Sequence, residues 1–145
     1  MPGQLRLEPF TVEHLTLFNN WGAQAWLEPF FDLDGADSGY SASVFLGEDF
    51  LGCGGIYEVH PLRGIAWGIP VPGFPAAFRQ MHFAIKRVLK EKMETYCRIE
   101  AYIDPEFSNA VRWVKSLGFR EECSFKPYFF PDGRAGAEWV ITREH

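Results

Sequence analysis

Between Cys97 and Phe125 the apolar residues recur first at every second position, then at every third or fourth, then at every second again, which predicts strand, helix and strand in turn. Cys97, Ile99, Ala101 and Ile103 alternate with Arg98, Glu100 and Tyr102, as in a strand whose two faces meet different surroundings. Asp104 and Pro105 stop that strand and predict a helix start. Asp caps free N–H groups through its carboxylate, and Pro at the first helical position loses no intrahelical bond. Phe107, Ala110, Val111, Val114 and Leu117 then share one helical face, with Ser108, Asn109, Arg112, Trp113, Lys115 and Ser116 off it. Gly118 stands just past the helix end, where a left-handed residue is favoured. From Phe119 to Phe125 the chain reads as extended.

The same reading carried from the N-terminus gives a strand over 4–10, with Leu5 and Leu7 opposite Arg6 and Glu8. Thr11 then caps a helix striped by Val12, Leu15 and Phe18, and a short second helix is expected near 23–27. Ser41 to Leu46 and Phe50 to Tyr57 read as a hairpin around Gly47-Glu48-Asp49. Gly52, Gly54 and Gly55 inside its second strand signal a bulge or a close backbone approach. His60 to Gly64 supplies a turn, and Gly64 to Ile69 a further strand. Phe78, Met81, His82, Ile85, Val88 and Leu89 make the apolar face of a helix whose other face carries Arg79, Lys86, Arg87, Lys90 and Lys92. Lys126 to Gly136 connects to a last strand, Ala137 to Thr142, expected to pair antiparallel with Phe119 to Phe125.

Composition narrows the class. At 145 residues with 47% hydrophobic side chains, the chain is expected to fold as one domain with a real core. A net charge of −5 argues against a broad nucleic-acid surface. No apolar run reaches the roughly 18 residues of a membrane span, and the first residues lack a signal pattern. A soluble, cytoplasmic protein is the expectation. Cys53, Cys97 and Cys123 are odd in number and widely spaced, as buried free thiols are. Asp32, Asp34 and Asp37 around Gly35 lack the ligand alternation of a calcium loop, so no metal site is expected.

The unit ending in Leu117-Gly118-Phe119-Arg120-Glu121-Glu122, with Ala110 and Arg112 in its helix, resembles the C-terminal half of the GCN5-related N-acetyltransferase (GNAT) superfamily. The order of elements fits over nearly all of the chain. The resemblance implies an α/β fold of the α+β kind: a single GNAT-like domain with a central mixed, mostly antiparallel sheet of about seven strands and about four flanking helices. It implies transfer of an acetyl or other acyl group from acyl-CoA to the amine of a small molecule or peptide by direct attack. Homodimers are a further implication.

In that family the loop before the basic helix carries a Gln/Arg-x-x-Gly-x-Gly/Ala signature around the pyrophosphate of coenzyme A. Here the stretch is Pro70-Val71-Pro72-Gly73-Phe74-Pro75-Ala76-Ala77, and the signature is absent. The resemblance assigns cofactor binding to Ile69, Val71, Gly73, Phe74, Ala76, Ala77 and Arg79, using helix N-terminal N–H groups. Ser108 and Asn109 would hydrogen-bond the pantetheine arm. The family's thiolate acid, a Tyr four residues before the Gly of Leu-Gly-Phe, is Val114 here. Tyr128 and Tyr102 are the nearest phenols, and Glu58 or Glu100 is the candidate base, each also readable as a plain strand residue. The changed phosphate loop, the basic helix and the short final hairpin are also similar to acetyltransferase-like internal virion proteins of tailed phages. That likeness implies the alternative, a GNAT fold with eroded catalysis serving as a structural or binding protein with a virion partner.

Overall fold

A computed structural model describes residues 5–11, 13–14, 39–70, 78–130 and 132–143. Of the helix expected after Thr11, only Thr11, Glu13 and His14 are among them, where the His14 N–H reaches Thr11 O at 3.0 Å. Its remainder, the helix expected over 23–27, the acidic loop at Asp32 to Asp37, and Val71, Gly73, Phe74, Ala76 and Ala77 lie outside them. The described residues form seven strands and two helices. The hydrogen-bonded strand order is β1-β2-β3-β4-β5-β7-β6. Contacts divide the chain into two units, Met1–Tyr57 with Trp67–Ala84, and Glu58–Ala66 with Ile85–His145.

In the first unit, β1 (Leu5–Pro9) pairs antiparallel with β2 (Gly39–Leu46), which turns at Gly47 and Glu48 into β3 (Asp49–His60). Alternation puts Ala42 and Val44 in the core, and Phe45 joins them through a register shift: Val44 faces Gly52 while Phe45 faces Phe50, leaving Leu51 as the extra residue of a bulge. Gly52 takes a φ of 142° there. At Gly55 a Cβ would fall on the carbonyl oxygen of Tyr40, so the two backbones approach as only glycine permits. The core of this unit gathers Phe10, Val44, Phe45, Leu51, Cys53 and Ile56, with Phe10 set edge-on to Trp67 at 5.7 Å.

In the second unit, the start of β4 (Arg63–Pro70) runs parallel to β5 (Arg98–Ile103), from Arg63 opposite Arg98 to Ala66 opposite Ala101. A parallel neighbour requires a crossover, and α1 (Phe78–Lys92) is that crossover. β7 (Gly136–Thr142) lies antiparallel between β5 and β6 (Arg120–Lys126). Ile99 and Val140 are completely buried, as central strands between neighbours on both sides dictate. Lys90 and Lys92 in the last turn of α1 complement its negative dipole end.

α2 (Ser108–Ser116) departs from its predicted start. Asp104 does not cap it. Its Oδ1 instead accepts from the N–H of Glu106 at 2.9 Å, its carbonyl takes the N–H of Phe107, and it pairs with Arg134, so the chain makes a turn before the helix begins. Phe107 becomes the N-cap without a capping side chain and is 61% exposed, not part of the apolar face. The other end agrees with expectation. Gly118 has φ of 102°, its N–H reaches Lys115 O, and the N–H of Phe119 reaches Val114 O, the paired bonds of a Schellman motif.

Candidate active site

β5 presents Arg98, Glu100 and Tyr102 on one face, and the parallel register brings Arg63 beside them. Glu100 is 1% exposed, yet its carboxylate is saturated. Arg63 donates to it from Nη2 at 2.9 Å and also from Nε, Arg98 from Nε at 3.0 Å, and the Tyr102 hydroxyl at 2.5 Å. Burial pushes the Glu100 carboxyl up, but hydrogen bonds from Arg63, Tyr102 and Arg98 more than offset this and bring it to about 2. Both guanidiniums are correspondingly held in the charged form.

The network extends outward along neighbouring strands. Arg98 also pairs with Glu122 of β6, and Tyr102 donates to Glu138 of β7 at 3.1 Å. Burial, then Glu100 and Glu138, raise the Tyr102 phenol, so it stays protonated. The Phe129 ring stacks on Tyr102 at 4.8 Å, and Lys126 sits over both rings.

Glu58 stands apart from this network on the exposed end of β3. Its Oε1 accepts from the hydroxyl of Tyr96 at 2.9 Å, a residue only 3% exposed at the end of the α1 connection. Its other oxygen has no protein donor among the described residues. Burial and the Glu58 carboxylate both raise the Tyr96 phenol, which therefore remains a donor. The contrast in chemistry is clear. Glu100 is a carboxylate with every lone-pair direction committed and little affinity for a proton, whereas Glu58 is open to solvent and oriented by one neutral donor.

The other predicted positions are scattered. Tyr128 is 86% exposed in the β6–β7 connection, with a φ of 54°. Ile69 lies in β4, and Arg79 is exposed in the first turn of α1. Ser108 and Asn109 open α2 and are exposed; the Asn109 side-chain oxygen accepts from Arg112. With no side chain capping that helix, its first N–H groups are free for an acceptor. Arg63, Arg98, Tyr102 and Tyr96 were not singled out by the sequence as partners of these acids. Alternation placed Arg98, Glu100 and Tyr102 on one face. The parallel register that adds Arg63 had no local signal.

His14 and Ser43 form a second polar pair in the first unit, with Ser43 Oγ 2.6 Å from His14 Nδ1. Ser43 is fully buried, and the Thr11 N–H donates to the same nitrogen at 3.3 Å. A hydroxyl with no access to solvent is a structural partner here. No group of three or more metal-ligating side chains occurs among the described residues. No described helix is long and apolar enough to cross a membrane.

No protein-family model and no curated protein matches the sequence. Solved structures do match its fold. Spermidine N-acetyltransferase from Vibrio cholerae, in complex with CoA and spermine, superposes with a TM-score of 0.73 at 18% identity, over 96% of this chain and 95% of its own. The ribosomal-protein-S18-alanine N-acetyltransferase from Escherichia coli gives 0.73 at 12% identity, over 98% and 96%. A GNAT family acetyltransferase from Elizabethkingia anophelis with acetyl-CoA bound gives 0.68 at 13%, over 96% and 98%. Across nearly its whole length, the chain has the fold of the GNAT acetyltransferases.

Proposed function

We propose that residues 1–145 form one cytoplasmic acyltransferase domain that moves an acetyl or other acyl group from a thioester of coenzyme A to an amine. The observation that supports this reading most is the full-length fold likeness to N-acetyltransferases, one with CoA and one with acetyl-CoA bound. Two features of the described residues support a cofactor of this kind. α2 offers uncapped N–H groups at its first turn, and Arg79 is exposed in the first turn of α1. Ser108 and Asn109 would hold the pantetheine arm; Ile69, Val71, Gly73, Phe74, Ala76, Ala77 and Arg79 would hold the phosphates. When bound, the thioester supplies an activated carbonyl carbon.

Within this reading Glu58 takes the proton from the amine, held in place by the Tyr96 hydroxyl. Tyr128, freely exposed, is the phenol assigned to return a proton to sulfur. This reading leaves Glu100 without the base role, because both its oxygens already accept from Arg63, Arg98 and Tyr102. It fixes Arg63, Arg98 and Tyr102 instead.

A second reading is favoured by the chemistry of four sequence positions. Val114 stands where the family carries its acidic Tyr, and Pro70, Pro72 and Pro75 remove three N–H donors from the phosphate loop. In it the fold is a non-catalytic binding protein of phage origin with a virion partner. Calorimetric titration with acetyl-CoA and with free coenzyme A separates the two. Micromolar binding followed by transfer to an amine upholds the enzyme, and absence of binding at millimolar ligand sinks it.

A further inference from the structure

We infer that the exposed face of α1 is a docking surface for an acidic acyl carrier protein, which brings the thioester on a phosphopantetheine arm. This rests on the acyltransferase reading and adds a protein-borne thioester to coenzyme A as its donor. At about 100° per residue, Arg79, Phe83, Lys86, Arg87 and Lys90 fall in one sector of the helix, with Met81 and Leu89 buried on the far side. All five are exposed, Phe83 by 56%. The four cations have no ion-pair partner among the described residues, in a chain whose 19 Asp and Glu outnumber its 14 Lys and Arg. No carboxylate interrupts the sector, although carboxylates are plentiful elsewhere.

The size and composition of this face select its occupant. From Arg79 to Lys90 the helix rises about 16 Å, too long for a single phosphate group and suited to a protein surface. A nucleic acid or an anionic bilayer would extend past α1 onto a chain of net charge −5, which repels it. One aromatic ring ringed by cations matches a docking patch with an apolar anchor and a charged rim, the complement of an acidic helix with an apolar contact. The sequence before α1 points the same way. Pro70, Pro72 and Pro75 each lack an N–H donor for a diphosphate, but a carrier arm has a single phosphodiester, and protein–protein contact supplies the remaining recognition. The transfer stays balanced: the amine nitrogen bonds to the carbonyl carbon, the carbon–sulfur bond breaks, Glu58 takes the amine proton and the sulfur leaves as the thiol of the arm after gaining one.

The test is calorimetric binding of purified acetylated acyl carrier protein to the wild type, to Lys86→Glu/Arg87→Glu and to Phe83→Ala, at two salt concentrations. S-acetyl phosphopantetheine and acetyl-CoA serve as small probes on the same proteins. Carrier binding that weakens at least tenfold in each variant and falls with salt, while the small thioesters bind every protein equally, is the expected result. Carrier binding that is absent, or indifferent to the substitutions, overturns the docking surface even where acetyl-CoA binds and the acyltransferase reading stands. Failure of all three thioesters overturns both. All three side chains are exposed, and thermal unfolding of each variant verifies the fold.

Discussion

Arg63 on β4 and Glu100 on β5 form a two-point ion pair across the parallel strands, Nη2 to Oε1 at 2.9 Å and Nε to Oε2. The pair joins two segments far apart in sequence where β4 runs parallel to β5. Glu100 is buried, and removing its charge leaves Arg63 and Arg98 without their shared acceptor. Because those guanidiniums keep 36% and 29% of their side-chain surface exposed, the loss is partly rehydrated. Glu100→Gln should cost about 2–3 kcal/mol, below the range for a fully enclosed pair, measured by urea unfolding at pH 7.

The same group gives an acid signature. The folded carboxyl, at about 2, lies below its ordinary 4.5, so the unfolded chain binds the proton first as pH falls. The stabilisation is complete above about 4.5 and is lost as pH falls toward about 2. Unfolding midpoints of wild type and Glu100→Gln should therefore converge over that window and stay apart above it. Parallel curves through the window would show that Glu100 is not the group responsible.

Within the acyltransferase reading the amine proton goes to Glu58. Glu58→Gln should lower kcat for amine acetylation by about a hundredfold, the scale of a lost general base. Tyr96→Phe deletes only the donor that orients Glu58 and should cause a smaller loss. An unchanged rate in Glu58→Gln would move the base elsewhere.

Much of the fold was legible in the sequence because local chemistry wrote it. Gly118 specified the end of α2 through its positive φ, and the alternation of β5 predicted the burial of Ile99, Ala101 and Ile103. The start of α2 departs from the sequence pattern because Asp104 answers to two partners at once, its own turn and Arg134 thirty residues on. Side-chain competition of that range leaves no periodic trace. The site was harder still. That Glu100 is saturated follows from the parallel register, and that Glu58 has a phenol beside it follows from where the chain re-enters the sheet at Tyr96. Neither is a property of neighbours in sequence.

The glycines separate two kinds of requirement. A Cβ at Gly55 would collide with the Tyr40 carbonyl oxygen and lie 2.8 Å from Ser41 Cα, both backbone atoms that cannot step aside. Gly55→Ala should cost about 3 kcal/mol or more. Nothing lies within 4 Å of a Cβ at Gly118, so Gly118→Ala bears only the strain of φ 102°, about 1 kcal/mol. Denaturant midpoints of the two variants check the order, and a reversed order would contradict the β2–β3 register.

The cysteines offer a last check on the core. Cys53 lies in β3 opposite Ser43 and is 5% exposed, and burial pushes its thiol up to about 12. At pH 8 it carries almost no thiolate, and its surroundings bar a reagent from reaching what there is. Cys97 and Cys123 are half-buried, and all three are free. Labelling of the native protein with an aromatic disulfide at pH 8 should therefore modify two thiols quickly. The third should react only at the rate of unfolding, and all three at once in denaturant. Because that slow phase depends on opening of the β2–β3 sheet, it should accelerate in Gly55→Ala by the same free energy that the denaturant midpoint loses. A third thiol labelled promptly in the native state would place Cys53 outside the core.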